Sequence, residues 1–171
     1  MNTAIIYTSN TGFTKTYAEW FAGQLGCEAL PLEGLAAGKL AEFDLVVYGG
    51  WVEGGKINGL ADMQAMLSDG QNLMVYAVGA LPTRSTIEPY LMKKNGITKV
   101  PFAYLEGGFR YEDLSEGKKM ALNMYKDILT ARKQDTITEQ ERFFIHNIGR
   151  SFDHSDLEPA LKFLAAIREA Q

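Results

Sequence analysis

The stretch that decides the fold is Ala4-Ile5-Ile6-Tyr7-Thr8-Ser9-Asn10-Thr11-Gly12-Phe13-Thr14. Its first four residues are a short continuous apolar run, the pattern of a strand buried on both faces of a parallel sheet. The run breaks at hydroxyls, an amide and a glycine, and a helical pattern follows from about Gly12 to Leu25. There Ala18, Phe21, Ala22 and Leu25 fall at i, i+3, i+4 and i+7 and make one apolar stripe, which Gly26 stops. A hydroxyl-rich loop entering a helix N-terminus can hold an anion through backbone N–H groups, hydroxyls and the helix dipole. It contains no lysine or arginine, so it suits a phosphate that is held and not transferred. The same residues also suit a plain turn and helix cap, and this stretch alone leaves both readings open.

Working outward, apolar runs alternate with helical patterns, which points to an α/β fold with a parallel sheet. Glu28 to Leu32 forms a short second strand, Leu45-Val46-Val47-Tyr48 a third, Leu73 to Val78 a fourth and Pro101 to Leu105 a fifth. Helices are expected over Ile57–Leu67, Ile87–Lys94 and Ser115 to about Arg132. The stretch from Thr136 to Ile148 is ambiguous between loop and short helix, with Phe143-Phe144-Ile145 as its apolar centre. Ser155 and Glu158 have capping-box spacing ahead of a last helix, and Pro159 suits its first turn. Met120, Met124 and Ile128, spaced by four, read as a core stripe, with an exposed docking face for a porphyrin or quinone as the alternative.

Two further loops leave the same sheet edge as the first. Gly49-Gly50-Trp51-Val52-Glu53-Gly54-Gly55-Lys56 follows the third strand. Glycine lets backbone approach a flat ligand closely, and Trp51 suits either stacking on a large aromatic or ordinary packing. Gly79-Ala80-Leu81-Pro82-Thr83-Arg84 follows the fourth strand, where small residues can expose backbone donors. In an open parallel sheet, ligands bind at the carboxyl edge near the point where strand order reverses. Convergence of three such loops tips the first one toward an anion site.

These residues resemble the flavodoxin signature, in which a Ser/Thr-x-Thr-Gly-x-Thr loop wraps the phosphate of FMN. The resemblance implies a doubly wound, five-stranded parallel sheet of order 2-1-3-4-5 over a single domain spanning residues 1–171. It implies FMN as cofactor, held by Thr8, Ser9, Asn10, Thr11, Gly12, Phe13 and Thr14 at the phosphate. Gly50, Trp51 and Val52 flank the ring on one side, and Gly79, Ala80 and Leu81 on the other. Phe13 stands where many flavodoxins have Asn. Glu106-Gly107-Gly108-Phe109-Arg110-Tyr111-Glu112-Asp113-Leu114 and the Met-rich helix after it resemble a subgroup that includes bacterial flavodoxin-like protoporphyrinogen oxidases. Members of that subgroup carry an extra helical segment before the last helix, here about residues 115–153.

The expected function is electron or hydride transfer with the flavin carrying the chemistry and no catalytic side chain. The alternatives are a protoporphyrinogen oxidase-like or quinone-linked oxidoreductase, and a non-catalytic electron shuttle or sensor that docks a partner protein. Other chemistries lack their residues. The Gly-x-x-x-x-Gly-Lys-Ser/Thr and Gly-x-Gly-x-x-Gly patterns are absent. A phosphoacceptor domain needs an aspartate after strand three, where Gly-Gly-Trp stands. A tyrosine phosphatase needs a cysteine in the first loop, but Cys27, the only cysteine, lies beyond the first helix and reads as a small buried hydrophobe. His146 and His154, the only histidines, have no metal-ligand pattern around them.

With 171 residues, the chain can bury roughly 70% of the surface its unfolded form exposes. Residues 1–83 carry three basic and eight acidic side chains, a net of −5. Residues 84–133 carry ten and six, for +4, and residues 134–171 carry four and seven, for −3. An acidic first half argues against nucleic-acid binding. The basic middle suits a solvated helix surface, or else docking to an acidic partner or an anionic membrane surface. The N-terminus has no signal-peptide pattern and no run reaches a membrane span, so a soluble cytoplasmic protein is expected.

Overall fold

The computed structural model describes residues 1–36, 38–82, 86–108, 110–148 and 157–171, with nothing said of the Gln140 side chain. Five parallel strands form the sheet: β1 (Thr3–Tyr7), β2 (Glu28–Pro31), β3 (Leu45–Glu53), β5 (Asn72–Gly79) and β6 (Phe102–Glu106). Their order is β2-β1-β3-β5-β6. A two-residue strand, β4 (Lys56–Ile57), folds back antiparallel on the end of β3. Setting β4 aside, the order is the expected 2-1-3-4-5, and the doubly wound α/β fold is the one the chain adopts.

The apolar runs become central strands because both sheet faces are covered. In β1, Ala4 and Ile6 enter one core cluster and Ile5 the other. Helix α1 (Phe13–Leu25) and helix α6 (Glu158–Ala170) cover one face, through Ala18 and Phe21 from α1 and Phe163, Leu164 and Ile167 from α6. Phe21 is the knot of that layer. Its ring centroid lies 5.2 Å from Tyr76, 5.8 Å from Phe163 and 5.1 Å from Trp20. Truncating such a residue to Ala typically costs about 3–5 kcal/mol. The opposite face is covered by α2 (Leu60–Ala65) and α3 (Ile87–Lys94), through Leu60, Met63, Ile87 and Leu91. Cys27 is half-buried against the first core, and burial pushes its thiol up.

Three expectations are corrected. The helix expected over 57–67 runs only from Leu60 to Ala65. Ile57 is claimed by β4, opposite Val52, because Glu53-Gly54-Gly55-Lys56 makes a two-residue hairpin turn. Gly54 at φ 57° and Gly55 at φ 79° give it the two positive-φ positions that a type I′ turn needs. The ambiguous stretch holds a helix, α5 (Glu139–Asn147), started by a capping box between Thr138 and Glu141. At the last helix the N-cap position is Leu157, without a side-chain cap. Ser155, expected there, lies outside the described residues, as do His154 and the end of the 115–153 segment.

The third correction concerns α4 (Glu116–Thr130), whose apolar stripe is exposed and not core. Met120, Met124 and Ile128 are 66%, 56% and 61% exposed, while Leu129 alone on this helix is buried. Both faces of the sheet already carry helices, so no sheet surface remains for α4. It pairs with α5 instead, with Tyr125 meeting Phe144 edge-on at 5.2 Å. Among the described residues, no helix is long and apolar enough to cross a membrane.

Candidate functional site

Parallel strands bring the loops after β1, β3, β5 and β6 to one edge, and short hydrogen bonds stitch them together. The Thr8 N–H donates to the Gly49 carbonyl at 2.9 Å, joining the β1 and β3 loops. The Gly107 N–H donates to the Gly79 carbonyl at 2.9 Å, joining those of β6 and β5. All thirteen residues expected at a ligand site therefore belong to this edge. Thr8 to Gly12 make the first loop, Phe13 and Thr14 open α1, and Gly50, Trp51 and Val52 end β3. Gly79 ends β5, with Ala80 and Leu81 just beyond it. Thr83 and Arg84 lie outside the described residues.

Within the first loop the hydroxyls have separate roles. The Thr8 hydroxyl donates to the Asn58 carbonyl at 2.9 Å, and the Tyr48 hydroxyl donates to the same carbonyl at 2.5 Å. Each hydroxyl has one proton, so both donors of Thr8, N–H and O–H, are engaged within the protein. Thr8 fastens the first loop to the β3 hairpin, and donors left for an anion begin at Ser9. The Ser9 hydroxyl oxygen is buried without any hydrogen-bond partner. Native interiors rarely tolerate that without a ligand or water to satisfy it.

Shortly after Ser9 in the chain comes a second unmet demand. The N-cap position of α1 is Gly12, and no side chain caps the helix. The plain-cap reading of this hydroxyl-rich turn requires a Ser, Thr or Asn oxygen on the first-turn N–H groups, and none is there. A phosphate would answer both deficits, accepting from Ser9 and from the helix N-terminus. Thr14, in the first turn, is buried; Asn10 and Gly12 are exposed and Thr11 is half-buried. The residues present therefore fit a phosphate-bearing cofactor.

The glycines after β3 and β5 do something other than open space for a ligand. A Cβ at Gly50 would lie 2.6 Å from the Ile57 side chain and 2.7 Å from the Asn58 carbonyl. At Gly79 it would lie 2.4 Å from the Tyr104 hydroxyl. Protein atoms already fill both places, so what these loops can offer a ligand is backbone and Trp51. The Leu81 peptide is also engaged, since Tyr104 donates to its carbonyl at 2.7 Å and accepts from its N–H at 3.2 Å.

Buried tyrosines thus anchor the loops: Tyr48 holds the β3 hairpin and Tyr104 the β5 loop. A third tyrosine, Tyr17 of α1, donates to the Glu106 carbonyl at 2.6 Å. Burial pushes the Tyr48 phenol up to about 12 and raises Tyr104 and Tyr76 as well. All three stay protonated and able to donate through the physiological range. A further anchor is Asn95, at the end of α3. Its amide donates to the Gly55 carbonyl at 2.9 Å and accepts from the Ile57 N–H at 2.9 Å, gripping both arms of the hairpin. Neither the tyrosines nor Asn95 stood out in the sequence, where strand tyrosines look like core and Asn95 like a helix end.

Positive charge reaches this edge from the far side of the sheet. After β6 the chain brings the Arg110 guanidinium 5.0 Å from the centre of the Phe13 ring. It also brings the Lys118 ammonium 4.7 Å from the centre of the Trp51 ring and 3.9 Å from Glu53. One face of Trp51 is therefore taken by Lys118. One open depression, about 650 Å³, lies at the opposite edge of the sheet. It is shallow and lined by Asp44 and Asp69 among others, which would repel a phosphate. Chemistry assigns the site. Among the described residues no group of His, Cys, Asp and Glu could hold a metal ion, and His146 is exposed in the last turn of α5.

A model of the flavodoxin domain matches residues 4–136. Among solved structures, a flavodoxin from the domain Archaea is 16% identical, with a TM-score of 0.43 over 75% of this chain and 99% of its own. A putative flavoprotein from Bacteroides eggerthii is 12% identical, with a TM-score of 0.47 over 77% and 99%. Oxidised flavodoxin 2 from Bacillus cereus is 19% identical, with a TM-score of 0.43 over 62% and 86%. No curated protein matches the chain. The domain match covers well over half of the sequence.

Proposed function

We propose, from the premise that the chain belongs to the flavodoxin domain family, that it is a redox protein working through FMN bound at the carboxyl edge of its sheet. One observation carries the placement: the Ser9 hydroxyl is buried and unpartnered beside a helix N-terminus that no side chain caps. Bound FMN supplies electron or hydride transfer, the chemistry no side chain here provides. Ser9 donates to the phosphate, and the first turn of α1 adds its N–H groups and dipole. Thr8, Tyr48 and Asn95 hold the Trp51 hairpin at the ring, and Tyr104 holds the other flanking loop.

The exposed Met120, Met124 and Ile128 face supports a large apolar redox acceptor, such as a quinone or a porphyrinogen, or a partner protein docking beside the site. The protoporphyrinogen oxidase-like reading belongs here, as does the shuttle. Steady-state turnover with NAD(P)H and quinones distinguishes an enzyme from a shuttle, since a shuttle needs a separate reductase.

Titrating apo-protein with FMN, followed by the visible spectrum, tests the cofactor. Ser9→Ala sharpens that test with two opposite expectations. Removing an unsatisfied buried hydroxyl leaves apo-protein stability unchanged or raised by about 1 kcal/mol, while FMN affinity falls roughly tenfold. A wild-type chain that stays colourless at high micromolar FMN sinks the proposal. So does a Ser9→Ala variant that binds FMN as the parent does.

A further inference from the structure

We propose that Arg110 supplies the positive charge which the phosphate loop lacks, and that it makes the site select the phosphorylated flavin over riboflavin. This rests on the FMN reading above. The loop from Thr8 to Thr14 contains no cation, yet a flavin phosphate at neutral pH carries nearly two negative charges, as phosphate monoesters do. Backbone N–H groups and one serine hydroxyl solvate such an ion but do not neutralise it. Any neutralising charge would have to come from elsewhere in the chain.

Arg110 is placed to provide it. Its guanidinium lies 5.0 Å from the centre of the Phe13 ring, and Phe13 is the first residue of α1, directly after the loop. The segment carrying Arg110 is held against this point. Gly107 bonds to Gly79 at 2.9 Å, and a Cβ at Gly107 would lie 3.4 Å from that of Phe13. Tyr17, one turn along α1, donates to the Glu106 carbonyl. No carboxylate among the described residues pairs with Arg110, although Glu106, Glu112 and Asp113 lie close in sequence. Among the described residues its guanidinium makes no ion pair or hydrogen bond, and a planar guanidinium suits a phosphate in two-pronged fashion. Phe13 fits the same picture. Where an asparagine would offer its own amide, the aromatic ring offers a face on which the guanidinium rests.

The test compares two ligands that differ only in the phosphate. Apo-protein is titrated with FMN and, separately, with riboflavin, following flavin fluorescence, for the wild type, Arg110→Gln and Arg110→Lys at low and high salt. Arg110→Gln is expected to weaken FMN roughly ten- to fiftyfold. Riboflavin affinity should stay within about twofold, and the salt dependence of FMN binding should flatten. Arg110→Lys should recover part of the loss, since lysine keeps the charge without the fork. An unchanged ratio of FMN to riboflavin affinity in Arg110→Gln overturns the assignment. An equal loss for both ligands does the same, because it shows Arg110 acting through loop structure alone. If the wild type binds riboflavin and FMN equally well, the phosphate has no dedicated charge and the proposal fails while the flavin site stands. If the wild type binds neither, the FMN reading itself has failed, and the Arg110 assignment falls with it.

Discussion

Removing the Asn95 side chain as Asn95→Ala should loosen the hairpin that carries Trp51 while leaving the sheet intact. Three hydrogen bonds are lost: to the Gly55 carbonyl at 2.9 Å, from the Ile57 N–H at 2.9 Å, and to the Leu91 carbonyl at 2.8 Å. A neutral bond contributes about 1 kcal/mol net, and a donor left unsatisfied in the interior costs about 1–3 kcal/mol. Ile57 is only 5% exposed, so water cannot readily replace the lost partner of its N–H. The two carbonyls have more access and contribute less. The expected cost is about 2–4 kcal/mol, or roughly 5–15 °C in Tm for a domain of this size. Urea denaturation gives the total, and amide exchange gives its location. Ile57 and Asn58 should lose protection by sub-global opening, while β1 amides change only by the global amount. Asn95→Asp is the control. It keeps the acceptor for Ile57 but sets a carboxylate against the Gly55 and Leu91 carbonyls, and should be no better than Ala. Stability within about 0.5 kcal/mol of the parent, with unchanged exchange at Ile57, would refute the idea that Asn95 clamps the hairpin.

Two further outcomes follow from burial. The Tyr48 phenol is raised by burial to about 12, against about 10 in an unfolded chain. Its neutral form is favoured in the fold, so this contribution is fully present below pH 10 and is lost as pH rises toward 12. On the order of 2 kcal/mol is at stake. Urea midpoints should hold steady from pH 7 to 9.5 and then fall, and Tyr48→Phe should fall less steeply above pH 10. An equally steep alkaline fall in that variant would show that Tyr48 is not a source of it. For the exposed stripe, Met124→Gln should change stability by less than about 0.5 kcal/mol. A loss of 2 kcal/mol or more in chemical denaturation would mean that the face is buried after all.

What the sequence made legible was whatever two neighbouring turns or strands decide for themselves. The runs Ala4–Tyr7, Leu45–Tyr48 and Leu73–Val78 announce strands covered on both faces, while the strand order was implied only by the resemblance to the flavodoxin signature. The hydroxyl loop was equally visible, because its chemistry lies in seven consecutive residues. The rest depended on groups far apart in the chain. Nothing near Thr8 shows that its hydroxyl is committed to Asn58, fifty residues on. Nothing near Gly79 shows that a tyrosine from the next strand occupies the space beside it. The stripe on α4 marks the limit most clearly. A period of four says that one side of a helix is apolar, but coverage is a property of the neighbours, and here α1, α6, α2 and α3 had already taken both faces of the sheet. The same logic accounts for Arg110. The loop could be seen to lack a cation, but only the fold brings the chain from the far edge strand back to Phe13. Sequence therefore revealed a loop without a cation, and tertiary structure revealed the arginine that stands beside it.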